Sequence, residues 1–449
     1  MKRITTSTIA AILILSPTSL GDAIRTSHSA GDAKAVSAWV EQNIQNLLET
    51  YKHLHANPEL SLQEVKTAAL LADGLSQSGY RVTTGIGGTG VVAVLTNGVG
   101  PTVLIRGDMD ALPVIEETGL DYISKVRVTK DDGTTVGVMH ACGHDVHSTM
   151  LLGTGRLLNE LRRRWRGTVV LIAQPAEEIG QGARMMIEDG LFERFPKPDF
   201  CIALHVKHDL PVGHIGYTAG WAFANVDSVD ITIFGRGGHG ARPNAAVDPI
   251  VTAAHVITTL QTVVSRRLDP IERAVITVGS IHGGSKHNII PDEVKMQLTV
   301  RSYTDQVRRQ LLDGIRQITV DTCKTFGCPK PPVVKVIEAD YTPASYNDPE
   351  LTAAAAGLFQ SLFGNDAVHE LPAEMGGEDF GRFARYLKVP GLQFVVGTVS
   401  EQAVETSKRP GADPLPSVHS SKFAPLPEPT LRTSITAMSN LALALLADK

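Results

Sequence analysis

Cysteine is scarce in this chain, which has 449 residues and four thiols, Cys142, Cys201, Cys323 and Cys328. Four cysteines are too few for a disulfide framework in a protein of this length, so the small disulfide-stabilised classes are excluded. Cys323 and Cys328 are close enough in sequence to bridge in an oxidising compartment. Within one helix, however, they would point to different faces, and the bridge stays an open question.

An excess of one charge and long apolar runs are also lacking. The formal net charge is −5, and the longest basic cluster, Arg162 to Arg164 with Arg166, stands where a helix is predicted to end. A helix C-terminus attracts cations through its dipole, so this cluster needs no nucleic-acid partner. No run approaches the roughly 20 apolar residues that span a bilayer. We therefore expect neither nucleic acid nor membrane as a partner of the mature protein.

The first 23 residues have the plan of a secretory signal peptide. Lys2 and Arg3 precede an apolar run from Ile9 to Leu15, and small residues surround a cleavage point near Ala23. A basic start, a short apolar core and a small-residue cleavage site are typical of such signals. We expect residues 1–23 to be removed and the protein to be exported, periplasmic or secreted. The alternative is an N-terminal extension of a cytosolic protein.

The patterning predicts an α/β fold with two domains. The chain is longer than most chains that fold around a single hydrophobic core, and 43% of its residues are hydrophobic. Apolar runs at 102–105, 168–173 and 199–206 lack polar alternation, which is typical of buried parallel strands, and helical patterns lie between them. From about residue 223 the strands alternate instead and are joined by helices. We therefore predict a mainly parallel-sheet domain over 35–222 and 342–449, with an α+β domain inserted over 223–341.

The three predicted parallel strands each lead into polar residues. TVLI precedes Asp108 and Asp110, TVVLIA precedes Glu177 and Glu178, and the third strand runs into His205. In open α/β sheets, ligands bind at the carboxyl ends of the strands. We expect these side chains to converge on one rim of the sheet.

The stretch HACGHD contains a candidate metal site. Cys142 and His144 are separated by Gly143, whose flexible backbone lets both side chains turn toward one ion. Thiolate and imidazole are good ligands for zinc and acceptable ones for other first-row metals. A redox thiol is the alternative, although Cys142 has no CxxC partner. We expect Asp145 to cap the helix that follows.

The adjacent glutamates of QPAEE extend this interpretation. Neighbouring side chains point in different directions, so Glu178 can bind a metal while Glu177 acts as a general base toward water. A glutamate pair is more often a solvated surface feature, but this one follows a buried strand. His205 and His419, each taken alone, would be unremarkable.

A set of motifs in one order shows a family resemblance, and the motifs are RGDMDALP, HACGHD, QPAEE, ALHV, GRGGHGARP, HNIIPDE, MGGEDF and VHSSKF. The chain resembles the amidohydrolase branch of the dinuclear metallopeptidase family, which includes aminoacylases and bacterial carboxypeptidases. Within that branch it is similar to hippurate hydrolases, N-acyl amino acid amidohydrolases and plant hydrolases of indoleacetic acid conjugates. The resemblance covers roughly residues 40–445.

The resemblance implies a catalytic domain with two divalent metal ions per subunit and a lid domain that forms the interface of a homodimer. The ions would be zinc or manganese, with cobalt or nickel as further candidates. The implied metal ligands are Cys142, His144, Glu178, His205 and His419. Glu177 is the implied general base.

The lid residues and the two aspartates receive supporting roles from the same resemblance. His239 is implied to reach the partner subunit's active site and stabilise the oxyanion. Asn288 and Arg301 are implied to hold the substrate carboxylate or carbonyl, and a turn residue and a strand-end charge are the plainer alternatives. Asp108 and Asp110 stand where other branches have His-x-Asp, so we expect them to orient the ligands rather than bind metal.

The expected activity is metal-dependent hydrolysis of the amide bond of N-acyl amino acids, hippurate-like, N-acetyl or related. This reaction releases a carboxylic acid and an amino acid from a small-molecule substrate. The alternatives are a metallo-dipeptidase or carboxypeptidase, or a catalytically silent exported binding protein. One departure from the family pattern, the polar insert at 126–136, is predicted to form a surface hairpin with Asp132-Gly133 at its tip rather than a flap.

Overall fold

The structure is a computed structural model that describes residues 29–129 and 132–447. The predicted signal peptide, residues 1–23, lies outside the described residues, so export remains a prediction. Within the described ranges, no helix combines the length and the apolar character needed to cross a membrane.

Helices and strands alternate along most of the chain. The helices are α1 (Ala30–Ala56), α2 (Val65–Gln77), α3 (His144–Glu160), α4 (Gly182–Glu188), α5 (Leu191–Arg194), α6 (Pro249–Thr262), α7 (Asp305–Thr325), α8 (Pro349–Phe363), α9 (Gly381–Leu387), α10 (Glu401–Ser407) and α11 (Pro427–Leu446). The strands are β1 (Arg81–Ile86), β2 (Gly90–Asn97), β3 (Thr102–Asp108), β4 (Arg127–Thr129), β5 (Thr135–Gly137), β6 (Gly167–Gln174), β7 (Phe200–Pro211), β8 (Ile215–Tyr217), β9 (Gly220–Phe223), β10 (Asn225–Phe234), β11 (Gly238–His239), β12 (Val275–His282), β13 (Ile289–Ile290), β14 (Glu293–Ser302), β15 (Val333–Val336), β16 (Ser345–Asn347), β17 (Val368–Glu370) and β18 (Gly391–Val399).

An eight-stranded sheet forms the larger part of the molecule. Its strand order is β1-β2-β6-β3-β7-β18-β8-β17, and β6, β3, β7 and β18 run parallel to one another. Helices cover both faces: Val103 and Ile105 of β3 face one hydrophobic cluster, and Leu104 between them faces another. Burial on both faces explains why these strands read as continuous apolar runs. The predicted α/β class with a mainly parallel sheet is confirmed.

A smaller antiparallel sheet has a core of its own. Its order is β12-β14-β10-β15, and buried and half-buried residues alternate along β10. α6 and α7 pack on its buried face, which accounts for the period-2 pattern that predicted an α+β layer. The boundaries predicted at 223 and 341 remain a proposal. Cys323 lies in α7, Cys328 lies beyond the helix end at Thr325, and both are free thiols.

Short pairs of strands complete the architecture. β9 pairs with β16, so the segment that leads into the antiparallel sheet lies beside the segment that returns from it. β4 and β5 pair antiparallel, with Arg127 opposite Gly137. Gly133 follows Asp132 near the turn and has a φ of 82°, which favours glycine. The hairpin predicted for 126–136 is therefore present.

Candidate active site

Polar side chains from several parts of the chain meet at one rim of the eight-stranded sheet. β3 ends at Asp108, which lies opposite Gln174 at the end of the parallel neighbour β6, and Glu177 follows three residues later. β7 lies on the other side of β3 and contributes His205. His205 lies inside β7, which continues to Pro211, rather than at the strand end. The predicted convergence on one rim is confirmed.

The turn between Cys142 and His144 depends on Gly143. Its φ of 81° lies in the left-handed region, which glycine adopts without strain. A Cβ at this position would lie 2.5 Å from Cγ2 of Val206. Any other residue would therefore be strained at this φ and would require the Val206 side chain to move.

The predicted metal ligands form one cluster. Sγ of Cys142 lies 3.4 Å from Nε2 of His205. Nε2 of His144 lies 3.8 Å from Oε1 of Glu178, and Oε2 of Glu178 lies 3.4 Å from Nε2 of His419. Nε2 of His144 and Oε1 of Glu178 are buried and have no hydrogen-bond partner among the described residues. Because buried polar atoms rarely lack a partner, this donor set fits a metal ion.

The ligand histidines are oriented through their other ring nitrogen. Nδ1 of His144 lies 2.8 Å from the carbonyl oxygen of Asp110, and Nδ1 of His205 lies 2.7 Å from that of Val206. A carbonyl oxygen only accepts, so each Nδ1 donates and Nε2 is the nitrogen available to a metal. Burial, reinforced by His147, lowers the pKa of His205 well below its usual value, so this imidazole is neutral.

Asp108 supports the cluster from within the sheet and is fully buried. Its Oδ1 accepts from Nδ1 of His147 at 2.6 Å, and Nε2 of His147 accepts from the N–H of Val206 at 3.0 Å. Its Oδ2 pairs with Arg106 and lies 3.7 Å from Nε2 of His144. Burial lowers the pKa of His144, but the Asp108 charge and the Asp110 hydrogen bond raise it well above its usual value. The site therefore favours a cation at Nε2.

Asp110 holds the turn that carries the two glutamates. Its Oδ1 accepts from the N–H of Glu177 at 3.1 Å, and its Oδ2 accepts from the N–H of Glu178 at 3.0 Å. The hydroxyl of Ser61 also donates to Oδ2, at 2.7 Å. With its oxygens engaged in this way, Asp110 is positioned to orient the candidate ligands.

Two non-glycine residues at the same site have strained backbone conformations. Ala176 has a φ of 50° and His419 a φ of 70°, although neither is glycine. Such conformations cost about 1–3 kcal/mol and persist where the surroundings hold them. The N–H of Ala176 donates to buried Glu64 at 2.8 Å, and the N–H of His419 donates to the carbonyl of Ala141 at 2.7 Å. These bonds fix the directions of the glutamate pair and of the His419 ring.

Glu177 is placed to act as a base. Its Oε2 lies 3.8 Å from Nε2 of His144. Burial and then the charges of Glu378 and Glu178 raise the pKa of Glu177 well above its usual value. Burial is also the main cause that raises the pKa of Glu178 to about 7. A carboxylate with a raised pKa takes up a proton from water more readily than an exposed one.

Arg106 is a site residue that sequence reasoning missed. It has no exposed surface, its Nε donates to Gln174 at 3.0 Å, and its Nη2 donates to Glu378 at 2.9 Å. Nη2 also lies 3.3 Å from Asp379, and Nη1 donates to Asp108. Arg106 and Glu378 stand in the motifs RGDMDALP and MGGEDF. The contact joins residues that are 272 positions apart, so no local sequence pattern predicts it.

A second missed cluster fixes the start of α3. Nδ1 of His55 lies 2.7 Å from Asp145, and its Nε2 lies 3.0 Å from Glu116. Burial lowers the pKa of His55, but these two carboxylates raise it to about 9, so it is an imidazolium at neutral pH. The predicted N-cap role of Asp145 is wrong, because the N-cap is Gly143. The Asp145 carboxylate lies inside the first turn, where it accepts from His55 and from the N–H of Val146.

The cluster of candidate metal ligands opens into a cavity of about 330 Å³, which we call the catalytic pocket. The residues that line it are Cys142, Glu177, Glu178, Ile179, Gly180, His205, Phe223, Val226, Ser228, Arg301, Asp340, Thr342, Gly377, Glu378, Asp379 and His419. Nη1 of Arg301 is buried without a hydrogen-bond partner among the described residues. His239 of β11 and Asn288, in the turn just before β13, are exposed and do not line this pocket. Of the predicted lid residues, Arg301 alone lines the pocket.

Known proteins with similar sequences are enzymes. Residues 104–412 match the model of Peptidase family M20/M25/M40. The chain is 36% identical over 375 residues to thermostable carboxypeptidase 2 of Saccharolobus solfataricus, which covers 83% of this chain and 88% of the relative. It is also 36% identical over 362 residues to the N-acetyl-L-cysteine deacetylase of Bacillus subtilis, with 79% and 80% covered.

A solved structure agrees with these matches. The crystal structure of a dinuclear metal-binding peptidase from the M20 family of Bacillus subtilis superposes with a TM-score of 0.73 and 30% sequence identity. The match covers 90% of this chain and 99% of that chain. The family resemblance predicted from the motifs is confirmed. The chain belongs to peptidase family M20/M25/M40 and is a hydrolase that acts on amide bonds.

Proposed function

We propose that this chain is a metal-dependent amidohydrolase that cleaves N-acyl amino acids into a carboxylic acid and an amino acid. The observation that carries the proposal is the composition of the catalytic pocket. Its lining includes Glu177, Arg301, whose Nη1 lacks a partner among the described residues, and four candidate ligands, which are Cys142, Glu178, His205 and His419. A guanidinium binds a carboxylate strongly, so Arg301 is suited to the free carboxylate of the amino-acid half. A relative that is an N-acetyl-L-cysteine deacetylase fits this substrate class.

We propose two divalent ions per subunit. The ligand atoms of Cys142, His144 and His205 lie within 4.8 Å of one another, and so do those of Cys142, Glu178 and His419. Because both groups contain Cys142, its thiolate would belong to the ligand set of either ion. Its thiol favours zinc, the carboxylate and imidazoles also suit manganese, and cobalt and nickel accept the same ligand types. Burial raises the pKa of the Cys142 thiol, so metal binding must displace its proton.

Glu177 is the proposed general base. When bound, divalent ions polarise the amide carbonyl and lower the pKa of water. Glu177 accepts the proton of the attacking water and returns it to the leaving nitrogen. Asp110 holds the Glu177 backbone during both transfers through the 3.1 Å hydrogen bond to its N–H. The raised pKa of Glu177 favours this cycle of uptake and release.

Arg301→Gln is expected to lower kcat/KM for hippurate by about 10- to 100-fold, because one charge-assisted contact to the substrate carboxylate is lost. The same variant should hydrolyse the carboxamide analogue of hippurate at the wild-type rate, since that substrate offers no carboxylate. Steady-state kinetics on both substrates measures the difference. Arg273→Gln, on an exposed arginine outside the catalytic pocket, is the matched control. Equal losses on hippurate and its carboxamide would show that Arg301 does not read the carboxylate.

A carboxypeptidase or dipeptidase is the second candidate, favoured by the relatedness to thermostable carboxypeptidase 2. Peptides also carry a free carboxylate, so Arg301 serves both candidates equally. A panel of hippurate, N-acetyl amino acids and dipeptides, offered to protein reconstituted with manganese, zinc or cobalt, separates them. Preference for dipeptides would replace the proposal with this candidate. Absence of turnover on the whole panel would leave a silent binding protein.

We propose that His239 acts in a homodimer. Its exposed position on β11 keeps it away from the catalytic pocket of its own chain. Large apolar side chains are also exposed in this part of the chain, on α6, β12 and β13, as expected of a surface that another subunit covers. These side chains are Ile250, Val251, Ile281 and Ile289. In a dimer His239 would reach the pocket of the second copy, where Asn288, in the turn just before β13, could assist it.

A mixing experiment tests this arrangement. His239→Ala and Glu177→Gln proteins should each be nearly inactive, since each removes one group from every site. After co-refolding, about a quarter of wild-type activity should return, because half of the dimers then contain one intact site. His255→Ala, on another exposed part of the same layer, should remain active. Failure to recover activity in dimers shown by mass to be mixed would contradict the proposal.

A further inference from the structure

A second cavity lies behind the loop of Glu378 and Asp379. It has a volume of about 450 Å³, which is within the range of small-molecule sites. The residues that line it are Arg184, Ile187, Glu188, Tyr341, Pro343, Arg382, Arg385 and Tyr386. We call this cavity the arginine pocket, and it shares no lining residue with the catalytic pocket. α4, α9 and the segment that returns from the antiparallel sheet meet there.

Two of its arginines have donors without acceptors. Nε of Arg184 and Nε of Arg382 are buried and have no hydrogen-bond partner among the described residues. Arg382 is held in place because its Nη2 donates to the carbonyl oxygen of Tyr341. Burial lowers the pKa of Arg382, the charge of Asp379 opposes this shift, and the like charge of Arg184 adds to it. An unsatisfied buried donor is costly, and more so when it is charged.

The nearby carboxylates do not satisfy these charges. Arg385 already pairs with Asp305 at 2.6 Å. Asp379 is engaged elsewhere, with Gln174 at 2.6 Å and with the N–H of Ala183 at 2.9 Å. Within the described ranges, neither Arg184 nor Arg382 has a carboxylate oxygen within ion-pair distance; the exposed Glu188 is the one acid in the lining. The charges of Arg184 and Arg382 therefore have no ion-pair partner among the described residues, which favours an anion from outside the chain.

Tyrosine rings and aliphatic side chains form much of the rest of the arginine pocket, beside the charged Glu188 and Arg385. The Tyr386 ring stacks on Phe192 with ring centroids 5.7 Å apart, and the Tyr341 ring lies under the guanidinium of Arg308 at 3.8 Å. Ile187 and Pro343 are the other apolar members of the lining. An inorganic anion would leave this surface uncovered, whereas an organic acid can cover it with its hydrocarbon part.

We propose that the arginine pocket binds a small organic carboxylate with an aromatic or branched apolar body. The carboxylate pairs with the guanidinium groups of Arg184 and Arg382, which line the pocket. The apolar body packs against the rings of Tyr341 and Tyr386. The pocket is thus a second ligand site, separate from the one where amide bonds are cleaved.

Calorimetric titration of the metal-free protein with benzoate tests the proposal. Benzoate should bind. Its neutral analogue benzamide and inorganic phosphate should each bind at least about tenfold more weakly than benzoate. Arg184→Gln and Arg382→Gln should each weaken benzoate binding by about tenfold or more. Arg194→Gln, which changes an exposed arginine paired with Asp189, should bind benzoate like the wild type.

Two further measurements make the result specific to this pocket. Arg301→Gln removes the guanidinium of the catalytic pocket and should leave benzoate binding unchanged. Thermal unfolding of each variant confirms that it is folded, and Arg184→Gln alone decides the case if Arg382→Gln does not fold. The proposal is overturned if wild-type protein does not bind benzoate, if phosphate binds more tightly, if a folded Arg184→Gln binds normally, or if Arg301→Gln alone abolishes binding.

Discussion

Glu177→Gln is expected to lower kcat for hydrolysis of an N-acyl amino acid by about 10²–10⁴-fold while metal content stays at the wild-type level. Glutamine keeps the shape of the side chain but cannot take the proton of the attacking water. The candidate ligands are held by bonds that this change does not touch, such as the 2.8 Å contact from His144 to the Asp110 carbonyl. Stopped assays of hippurate hydrolysis, paired with elemental analysis of the same protein, measure both quantities.

A matched control separates loss of the base from loss of any carboxylate. Glu160 ends α3 and is exposed, so Glu160→Gln should retain wild-type kcat. Turnover in Glu177→Gln within a few-fold of the control would show that another group takes the proton. Loss of metal from Glu177→Gln would show that Glu177 is a ligand instead of a base.

Arg106→Met is expected to reduce the free energy of unfolding by about 3–5 kcal/mol, a large fraction of the stability of a typical domain. Arg106 is the shared cationic partner of Asp108, Glu378 and Asp379, all of which are buried. Methionine has a similar length but leaves three carboxylates together without a counter-charge. Urea denaturation of metal-free protein measures the change.

Two comparisons test whether charge is the cause. Arg163→Met, at an exposed arginine beyond α3, should change the free energy of unfolding by less than about 0.5 kcal/mol. Adding Glu378→Gln and Asp379→Asn to Arg106→Met should recover part of the loss, because the uncompensated charges are then removed. A loss below about 1 kcal/mol in Arg106→Met alone would mean that the carboxylates find other partners or protons.

The rim of the site was predictable because its signals are local. A buried strand followed by polar residues gives the positions of Asp108 and Glu177, and parallel pairing brings them together. The turn at Gly143 was equally readable, yet Asp145 was assigned the wrong role. The choice of N-cap depended on a left-handed backbone and on the distant His55, and neither is written in the nearby sequence.

Other residues depended on contacts between distant parts of the chain. The pairing of Arg106 with Glu378 joins the motifs RGDMDALP and MGGEDF, and no local pattern in the sequence indicates that these two motifs are in contact. The motifs gave Asn288 and Arg301 the same substrate-binding role, and only the three-dimensional arrangement shows that Arg301 lines the catalytic pocket of its own chain while Asn288 and His239 do not. An inserted domain can face its own site or that of a second copy, and local patterns are the same in both cases.

Metal titration of the metal-free protein, followed by hippurate hydrolysis, tests the central claim most directly. We expect no hippurate hydrolysis without metal, a rise in its rate on adding manganese, zinc or cobalt, and a maximum rate at about two equivalents of metal per chain. We also expect Cys142→Ser to shift the titration to higher metal concentration, because the Cys142 thiol belongs to both ligand groups. Full turnover by protein from which elemental analysis finds the metal removed would contradict the account.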